Sequence, residues 1–253
     1  MIPKVIHYCW FGGNPKPKLA KKCFKSWKKY CPDYEIVEWN ENNYSINNAP
    51  LYVRQAYQAK KWAFVTDYVR LQIVYEHGGI YLDTDVELIR PLDELLYNHA
   101  YFGFEAGSYI NTGLGFGAEK ETDILQKMMD DYEQISYVRT DGTYDDTPCP
   151  NRNTSAFLQR GLKKDDSMQT LANDILILPT EYLCPKDWKT GELNITEKSY
   201  SIHHCSASWY TPEMQKKRRR LQKKEWLRHL PSTVGNKLMG KENYDKLRSK
   251  LKR

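Results

Sequence analysis

Asp83-Thr84-Asp85 carries the clearest chemical content in this chain. Two carboxylates two residues apart on an extended backbone point to the same side. Held side by side, they repel unless a cation or a proton lies between them. Hard divalent ions such as Mg2+ and Mn2+ favour oxygen ligands and often share them with phosphate oxygens. An Asp-x-Asp pair at a strand end therefore fits a metal ion that holds a diphosphate. Taken alone, the tripeptide fits a plain polar strand terminus as well. Asp67 and Arg70 add weight to the metal reading. They lie three apart in an apolar segment with helical periodicity, so they project from one side of it. Charge set into an apolar face is costly unless it is paired or used.

The elements that must hold these groups can be read locally. Trp62, Val65, Val69 and Ile73 recur at helical spacing between Trp62 and His77. Phe64, Leu71 and Val74 widen the apolar face until the helix reads as covered on most sides. Gly78-Gly79 ends it, because glycine takes the left-handed conformation of a C-cap. Ile80-Tyr81-Leu82 then reads as a short interior strand with Asp83 and Asp85 at its end. Upstream lie a strand over residues 3–11, a Gly-Gly-Asn-Pro turn, a helix over 17–30, a strand over 34–39, a polar loop over 40–50 and a helix over 51–60. Downstream, strands are expected over 101–105, 111–117 and 175–178, helices over 122–133 and 153–161, and a long polar loop over 134–150. This alternation argues for an α/β fold with a mainly parallel sheet and covering helices.

In open α/β sheets ligands sit at the carboxyl ends of strands. Trp10 stands at such an end, where a core aromatic would fit equally well. The stretch Asn111 to Gly117, NTGLGFG, places glycine inside a strand, a mark of close approach by a ligand or another backbone. No Gly-Lys-Ser/Thr follows it, so it is not a phosphate loop. Near the end of the domain, YSIHHCSASWY reads as a strand that delivers His203 and His204, with Ser206, Ser208 and Trp209 directly after. Adjacent strand residues face opposite ways, so at most one of the two histidines is a ligand.

Composition narrows the class. A hydrophobic content of 40% is ordinary for a water-exposed domain, and 253 residues are ample for a core. No run of about 18 apolar residues spans a membrane, and no charged n-region leads into an apolar stretch, so no signal peptide is expected. The cysteines (Cys9, Cys23, Cys31, Cys149, Cys184 and Cys205) are scattered without a CxxC pair. They read as reduced thiols in the cytoplasm, with no zinc site expected.

The segment from Met214 to Arg253 differs in kind. It holds 15 Lys and Arg against 3 Asp and Glu, so it carries +12 of a chain whose net charge is +6, and residues 1–213 carry −6. Leu221, Trp226, Leu227 and Leu230 punctuate the charge, and Tyr244, Leu247 and Leu251 form a second helical stripe. Basic helices with aromatic and aliphatic anchors bind anionic membrane surfaces. A nucleic-acid surface or a plain solvated face would use the same composition. The membrane reading is preferred, and no nucleic acid is expected. The expected organisation is therefore a catalytic domain over 1–213 and a basic helical tail over 214–253.

The stretch Ala63 to Asp85 reads A-x-x-x-D-x-x-R, then G-G-x-Y-x-D-x-D. It resembles the DXD-motif sugar transferases: capsular polysaccharide transferases, yeast mannosyltransferases and, more distantly, the glucosylating domain of large clostridial toxins. The match is dense over about 25 residues, and weaker similarity runs from residue 2 to about residue 210. The resemblance implies a GT-A-type, Rossmann-like α/β fold, with a mixed, mainly parallel sheet flanked by helices and C-terminal basic helices. It implies a retaining, metal-dependent transfer of a sugar from a nucleoside diphosphate donor, UDP-linked by preference. The acceptor would be a saccharide or lipid-linked saccharide in surface polysaccharide synthesis, at the inner face of the cell membrane. Mn2+ or Mg2+ would be the cofactor. Asp85 would bind the metal directly, and Asp83 would bind through water or contact the donor. Asp67 and Arg70 would hold the donor sugar. His7, Trp10, Gly12, Tyr81 and Asn111 would line the nucleotide-sugar site. His204 would complete the metal shell, and Ser208 with Trp209 would close over the diphosphate. The toxin-like members carry an acidic residue where His204 stands. No carboxylate nucleophile is evident, so same-face attack is expected, with the leaving phosphate taking the proton.

Two other classes share parts of this pattern. A haloacid-dehalogenase-type phosphohydrolase or phosphotransferase also places Asp-x-Asp at a strand end. It wants Thr or Val two residues after the second Asp, where this chain has Glu87. A non-enzymatic membrane or nucleic-acid adaptor would rest on the tail alone.

Overall fold

The computed structural model describes residues 1–106, 108–187, 190–207, 210, 212–230, 234, 240–244 and 246. Its contacts divide the chain into two units, residues 1–186 with 194–209, and residues 187–193 with 210–253. The first unit opens with β1 (Val5–Cys9), α1 (Lys18–Tyr30), β2 (Glu35–Trp39), α2 (Leu51–Gln58), α3 (Trp62–His77), β3 (Gly79–Tyr81) and β4 (Val86–Leu88). It continues with β5 (Ala100–Glu105), β6 (Tyr109–Ile110), β7 (Phe116–Ala118), α4 (Asp123–Glu133), α5 (Cys149–Leu158), β8 (Gln169–Leu171), β9 (Ile175–Leu178), α6 (Thr180–Leu183) and β10 (Ser201–His203). The second unit contains the basic helix α7 (Pro212–His229).

The main sheet runs β2-β1-β3-β7-β5-β9-β8, with β6 added beside β5. β1 pairs in parallel with β2 and β3. β7 lies antiparallel to both β3 and β5, which restores the direction of β5 to that of β3. β9 pairs in parallel with β5, and β8 turns back against it. Strands β2, β1, β3, β5 and β9 therefore point one way. This is the expected mixed, mainly parallel sheet flanked by helices, and it brings the carboxyl ends of β3 and β5 to one edge.

α3 is the central helix. Phe64, Val65, Val69, Leu71, Ile73 and Val74 are each at most 2% exposed, and the helix packs on β1, β3, α2 and α4. Burying these six side chains contributes roughly 10–18 kcal/mol before entropy. That exceeds the cost of several kcal/mol per ion for the charges carried on the same helix. Gly78 ends α3 with its N–H donating to Val74 O at 2.8 Å. Its φ of 68° and ψ of −174° lie outside the left-handed helical cap, in a region that essentially only glycine enters. Gly79 has φ 101°, and a Cβ there would lie 2.9 Å from Val5 O. The pair thus lets β3 start directly against β1.

Two readings of the sequence change. Asn111 to Gly117 is broken in two: the Asn111 side chain accepts from Gly113 N and winds residues Thr112–Leu114 into a 3-10 turn before β7. α5 begins at Cys149, earlier than expected, because proline is tolerated in a first helical turn. The loop before it is tied down by Asp145, which pairs with Arg152 at 2.6 Å and Arg139 at 3.2 Å.

Candidate functional site

β3 ends at Tyr81, and the next turn carries Asp83 and Asp85 at the carboxyl end of the sheet. α1 holds the strand that follows: Trp27 Nε1 donates to Val86 O at 2.8 Å, and Ser26 Oγ accepts from Leu88 N at 2.9 Å. The turn is therefore fixed from both sides. β10 pairs antiparallel with β4 in the register His203 to Val86. That register carries the 203–206 segment alongside Asp85.

Three side chains converge there. Asp83, Asp85 and His203 offer ligand atoms within 4.8 Å of one another. His203 Nε2 is 3.4 Å from Asp85 Oδ1, and Ser206 N–H donates to Asp85 Oδ2 at 2.7 Å. Burial alone would raise the Asp85 carboxyl, but His203 and the Ser206 N–H hold it well below the usual carboxylate range. Burial raises Asp83, with Arg70 pulling the other way and Asp85 adding to the rise. Two carboxylates and an imidazole form an oxygen-rich donor set that suits Mn2+ or Mg2+. The residues present therefore fit a divalent ion.

Asp67 and Arg70 reach this site from α3. Arg70 is 2% exposed and pairs with Asp67 on one side. Its Nη1 lies 3.4 Å from both oxygens of Asp83. Tyr81 OH donates to Asp83 Oδ1 at 2.9 Å. Arg70 thus links the helix pair to the turn, the paired use that a buried charge requires. Gly113 packs against the same carboxylate: a Cβ there would fall 2.5 Å from Asp83 Oδ2. Asn111 is close by and donates to Glu105 Oε2 at 2.9 Å.

The histidine expected beside the aspartates was His204, and here the structure differs. His204 Nε2 sits 2.8 Å from Glu87 Oε2, in a surface group with Lys22. The β10–β4 register turns His203 inward and His204 outward, so His203 is the imidazole at the pair.

The His7 ring is also directed elsewhere. Trp39 Nε1 donates to its Nδ1 at 3.1 Å, so the proton sits on Nε2, which donates to Gly78 O at 2.9 Å. The His7 backbone pairs with Tyr81 and accepts from Leu82 N at 3.1 Å, next to the aspartate turn, but both ring nitrogens are engaged at the end of α3. Trp10 is half-buried, with Nε1 donating to Asn14 O at 2.7 Å and Lys16 Nζ 5.6 Å from its ring. Gly12 abuts Trp62, and its N–H donates to Glu41 at 2.7 Å. Glu41 lines a cleft of about 860 Å³ with Asn43, Tyr44, Arg54, Tyr57 and Gln58. Ser208 and Trp209 lie outside the described residues.

Sequence reasoning missed Glu105 and the thiols of Cys184 and Cys205, which stand beside His203. Glu105 had a signal: it ends a strand parallel in direction to β3, as the aspartates follow theirs. The thiols had none, because chain folding alone brings residues 184 and 205 together.

Comparison with known proteins adds an independent line. Residues 17–102 match the family described as the glycosyltransferase sugar-binding region containing DXD motif. Inositol phosphoceramide mannosyltransferase 3 of Schizosaccharomyces pombe is 36% identical over 120 residues, covering 46% of this chain and 33% of that protein. Uncharacterized glycosyltransferase L373 of Acanthamoeba polyphaga mimivirus is 31% identical over 101 residues, covering 38% of this chain and 40% of that protein. The matches thus span 33% and 40% of these relatives' own length. Among solved structures, the PaToxG glycosyltransferase aligns with a TM-score of 0.48 at 18% identity, over 62% of this chain and 69% of that one.

Proposed function

We infer a metal-dependent glycosyltransferase, supported by the match of residues 17–102 to the glycosyltransferase sugar-binding region containing DXD motif. It would move a sugar from a nucleoside diphosphate donor, UDP-linked by preference, to a hydroxyl of a saccharide or lipid-linked saccharide. The observation that carries this reading is the convergence of Asp83, Asp85 and His203 beside the buried Arg70.

When bound, Mn2+ or Mg2+ supplies Lewis-acid stabilisation of the departing diphosphate. Asp85 and Asp83 offer its ligand atoms, and His203 Nε2 adds a third whenever that nitrogen carries no proton. Arg70 fixes Asp67 and Asp83, so their outward oxygens orient the hydroxyls of the donor sugar. Tyr81 OH holds Asp83, and the Ser206 N–H holds Asp85, so neither carboxylate must reorganise during the reaction. Asn111 stands at the same edge, at hydrogen-bonding distance from Glu105. Trp10 and Gly12, beside the cleft at Glu41, are assigned to the nucleotide. Same-face attack, with the leaving phosphate taking the acceptor proton, accounts for retention.

The basic tail is assigned to an anionic membrane surface on the cytoplasmic side. On α7, Met214, Leu221 and Trp226 are 39%, 48% and 51% exposed among lysines and arginines, which suits interfacial insertion. Among the described residues no helix is long and apolar enough to cross a membrane. GDP-mannose and lipid acceptors are tested beside the UDP sugars because one relative is named as an inositol phosphoceramide mannosyltransferase.

The test is donor hydrolysis by the purified chain, with UDP-glucose, UDP-galactose, UDP-GlcNAc, UDP-GalNAc and GDP-mannose, with and without Mn2+. Turnover of one donor that needs metal supports the reading. Failure of every donor to bind or turn over in the presence of metal would sink it.

A further inference from the structure

Behind the aspartates, His203 turns its other nitrogen toward a second set of ligands. Nδ1 lies 3.7 Å from Glu105 Oε1 and 3.4 Å from Cys205 Sγ. Cys205 Sγ is 3.9 Å from Glu105 Oε1. Cys184 joins them, and ligand atoms of all four residues fall within 4.8 Å of one another. Cys184 is 2% exposed, while His203 and Cys205 are each 9% exposed.

These spacings are informative. Zinc bonds of about 2.3 Å to sulfur and about 2.0–2.2 Å to nitrogen and oxygen give tetrahedron edges of about 3.3–3.8 Å. Three of the six edges lie at 3.4, 3.7 and 3.9 Å, and those to Cys184 are within 4.8 Å, so contraction about Cys184 would admit an ion. Two sulfurs, an imidazole and one carboxylate oxygen form a softer set than Asp83 and Asp85, and such sets select zinc over Mn2+ or Mg2+. The surroundings are arranged for single-oxygen ligation, because Asn111 holds Glu105 Oε2 and leaves Oε1 facing the sulfurs. Outer partners of this kind orient metal ligands. The backbone is also unusual here: Ala106, Cys205 and Ala207 take φ of 52°, 50° and 48° without being glycine. Strain gathered around one cluster is a feature of functional sites.

We propose that Cys184, Cys205, His203 Nδ1 and Glu105 form a tetrahedral zinc site next to the aspartate pair. The ion fastens the end of β10 to the end of β5 and to the segment after α6. It also fixes the imidazole: with Nδ1 on zinc, Nε2 carries the proton and donates to Asp85. A neutral imidazole cannot ligate through both nitrogens, so zinc occupancy takes His203 away from an ion at Asp83 and Asp85. The site is independent of which sugar, if any, is transferred, and metal content alone decides it.

The test uses the purified full chain. Zinc is measured by elemental analysis in wild type, in Cys184→Ser/Cys205→Ser and in Asp83→Asn/Asp85→Asn. Wild type stripped with a chelator is also titrated with Co2+. One zinc per chain is expected in wild type and in the aspartate variant, with at least a tenfold loss of affinity in the cysteine variant. Co2+ should give thiolate charge-transfer absorption and intense tetrahedral visible bands. The cobalt spectrum keeps the proposal testable if the cysteine variant fails to fold. Absence of zinc uptake, a cobalt spectrum without thiolate bands, zinc lost with the aspartates but kept without the cysteines, or a Cys184–Cys205 disulfide in the fresh protein would each overturn it.

Discussion

Replacing Arg70 by methionine keeps the length of the side chain and removes its charge. Arg70 is 2% exposed, pairs with Asp67 on its own helix, and approaches both oxygens of Asp83 at 3.4 Å. The variant leaves two largely buried carboxylates facing an apolar side chain. Removing one partner of a buried ion pair costs about 3–5 kcal/mol, a large share of the roughly 5–15 kcal/mol that holds a domain folded. The expected loss at about pH 7 is therefore about 3–5 kcal/mol, read as a lower urea midpoint with the denaturant slope unchanged. The loss should depend on pH in a definite direction. Burial already raises Asp83 with Arg70 in place, and the variant should raise that carboxyl further. A carboxyl raised in the folded state binds more protons folded than unfolded, so stability recovers as pH falls. The deficit should shrink between about pH 7 and about pH 5, and adding Asp67→Asn with Asp83→Asn should recover part of it at neutral pH. A loss under about 1 kcal/mol, the size of an exposed pair, or a deficit unchanged with pH, would refute the reasoning.

Two further outcomes follow from other contacts. Gly113→Ala would put a Cβ 2.5 Å from Asp83 Oδ2, so donor turnover should fall at least tenfold, with an overpacking loss of about 1–3 kcal/mol in urea stability; equal turnover would separate Asp83 from the reaction. His7 is pushed down to about 4 by burial, with the Gly78 carbonyl opposing. Its folded value lies below an unfolded value of about 6.5, so its stabilising contribution is full above about 6.5 and is lost as pH falls toward 4. That loss amounts to at most about 3 kcal/mol. His7→Gln should flatten the stability profile in that window relative to wild type, and parallel profiles would contradict the assignment.

Much of this arrangement was legible before the structure. α3 could be read from Trp62 to His77 because apolar residues cover it on most sides and two glycines end it. The aspartates could be placed because they directly follow an apolar run, and a strand end is a local feature. His203 could not be distinguished from His204 in that way. Which of two adjacent residues faces inward is set by the pairing of β10 with β4, residues more than a hundred positions apart. The 3-10 turn after Asn111 was hidden for a different reason. A single side-chain hydrogen bond to Gly113 N winds the chain there, whereas glycine-rich composition permits strand and turn alike. Glu105, Cys184 and Cys205 meet only through tertiary structure. Scattered cysteines without a CxxC pair gave no reason to expect a shared site.

The central claim is that Asp83 and Asp85 present a metal-bound nucleotide sugar to its acceptor. It is tested most directly by metal-dependent donor turnover in wild type, Asp85→Ala and Glu87→Ala measured side by side. Glu87 is a neighbouring carboxylate paired with His204 and Lys22 and directed away from the pair. The account expects Mn2+-dependent turnover of one donor in wild type, its loss in Asp85→Ala and its survival in Glu87→Ala. Turnover that persists in Asp85→Ala, or that proceeds equally with metal removed, would contradict it.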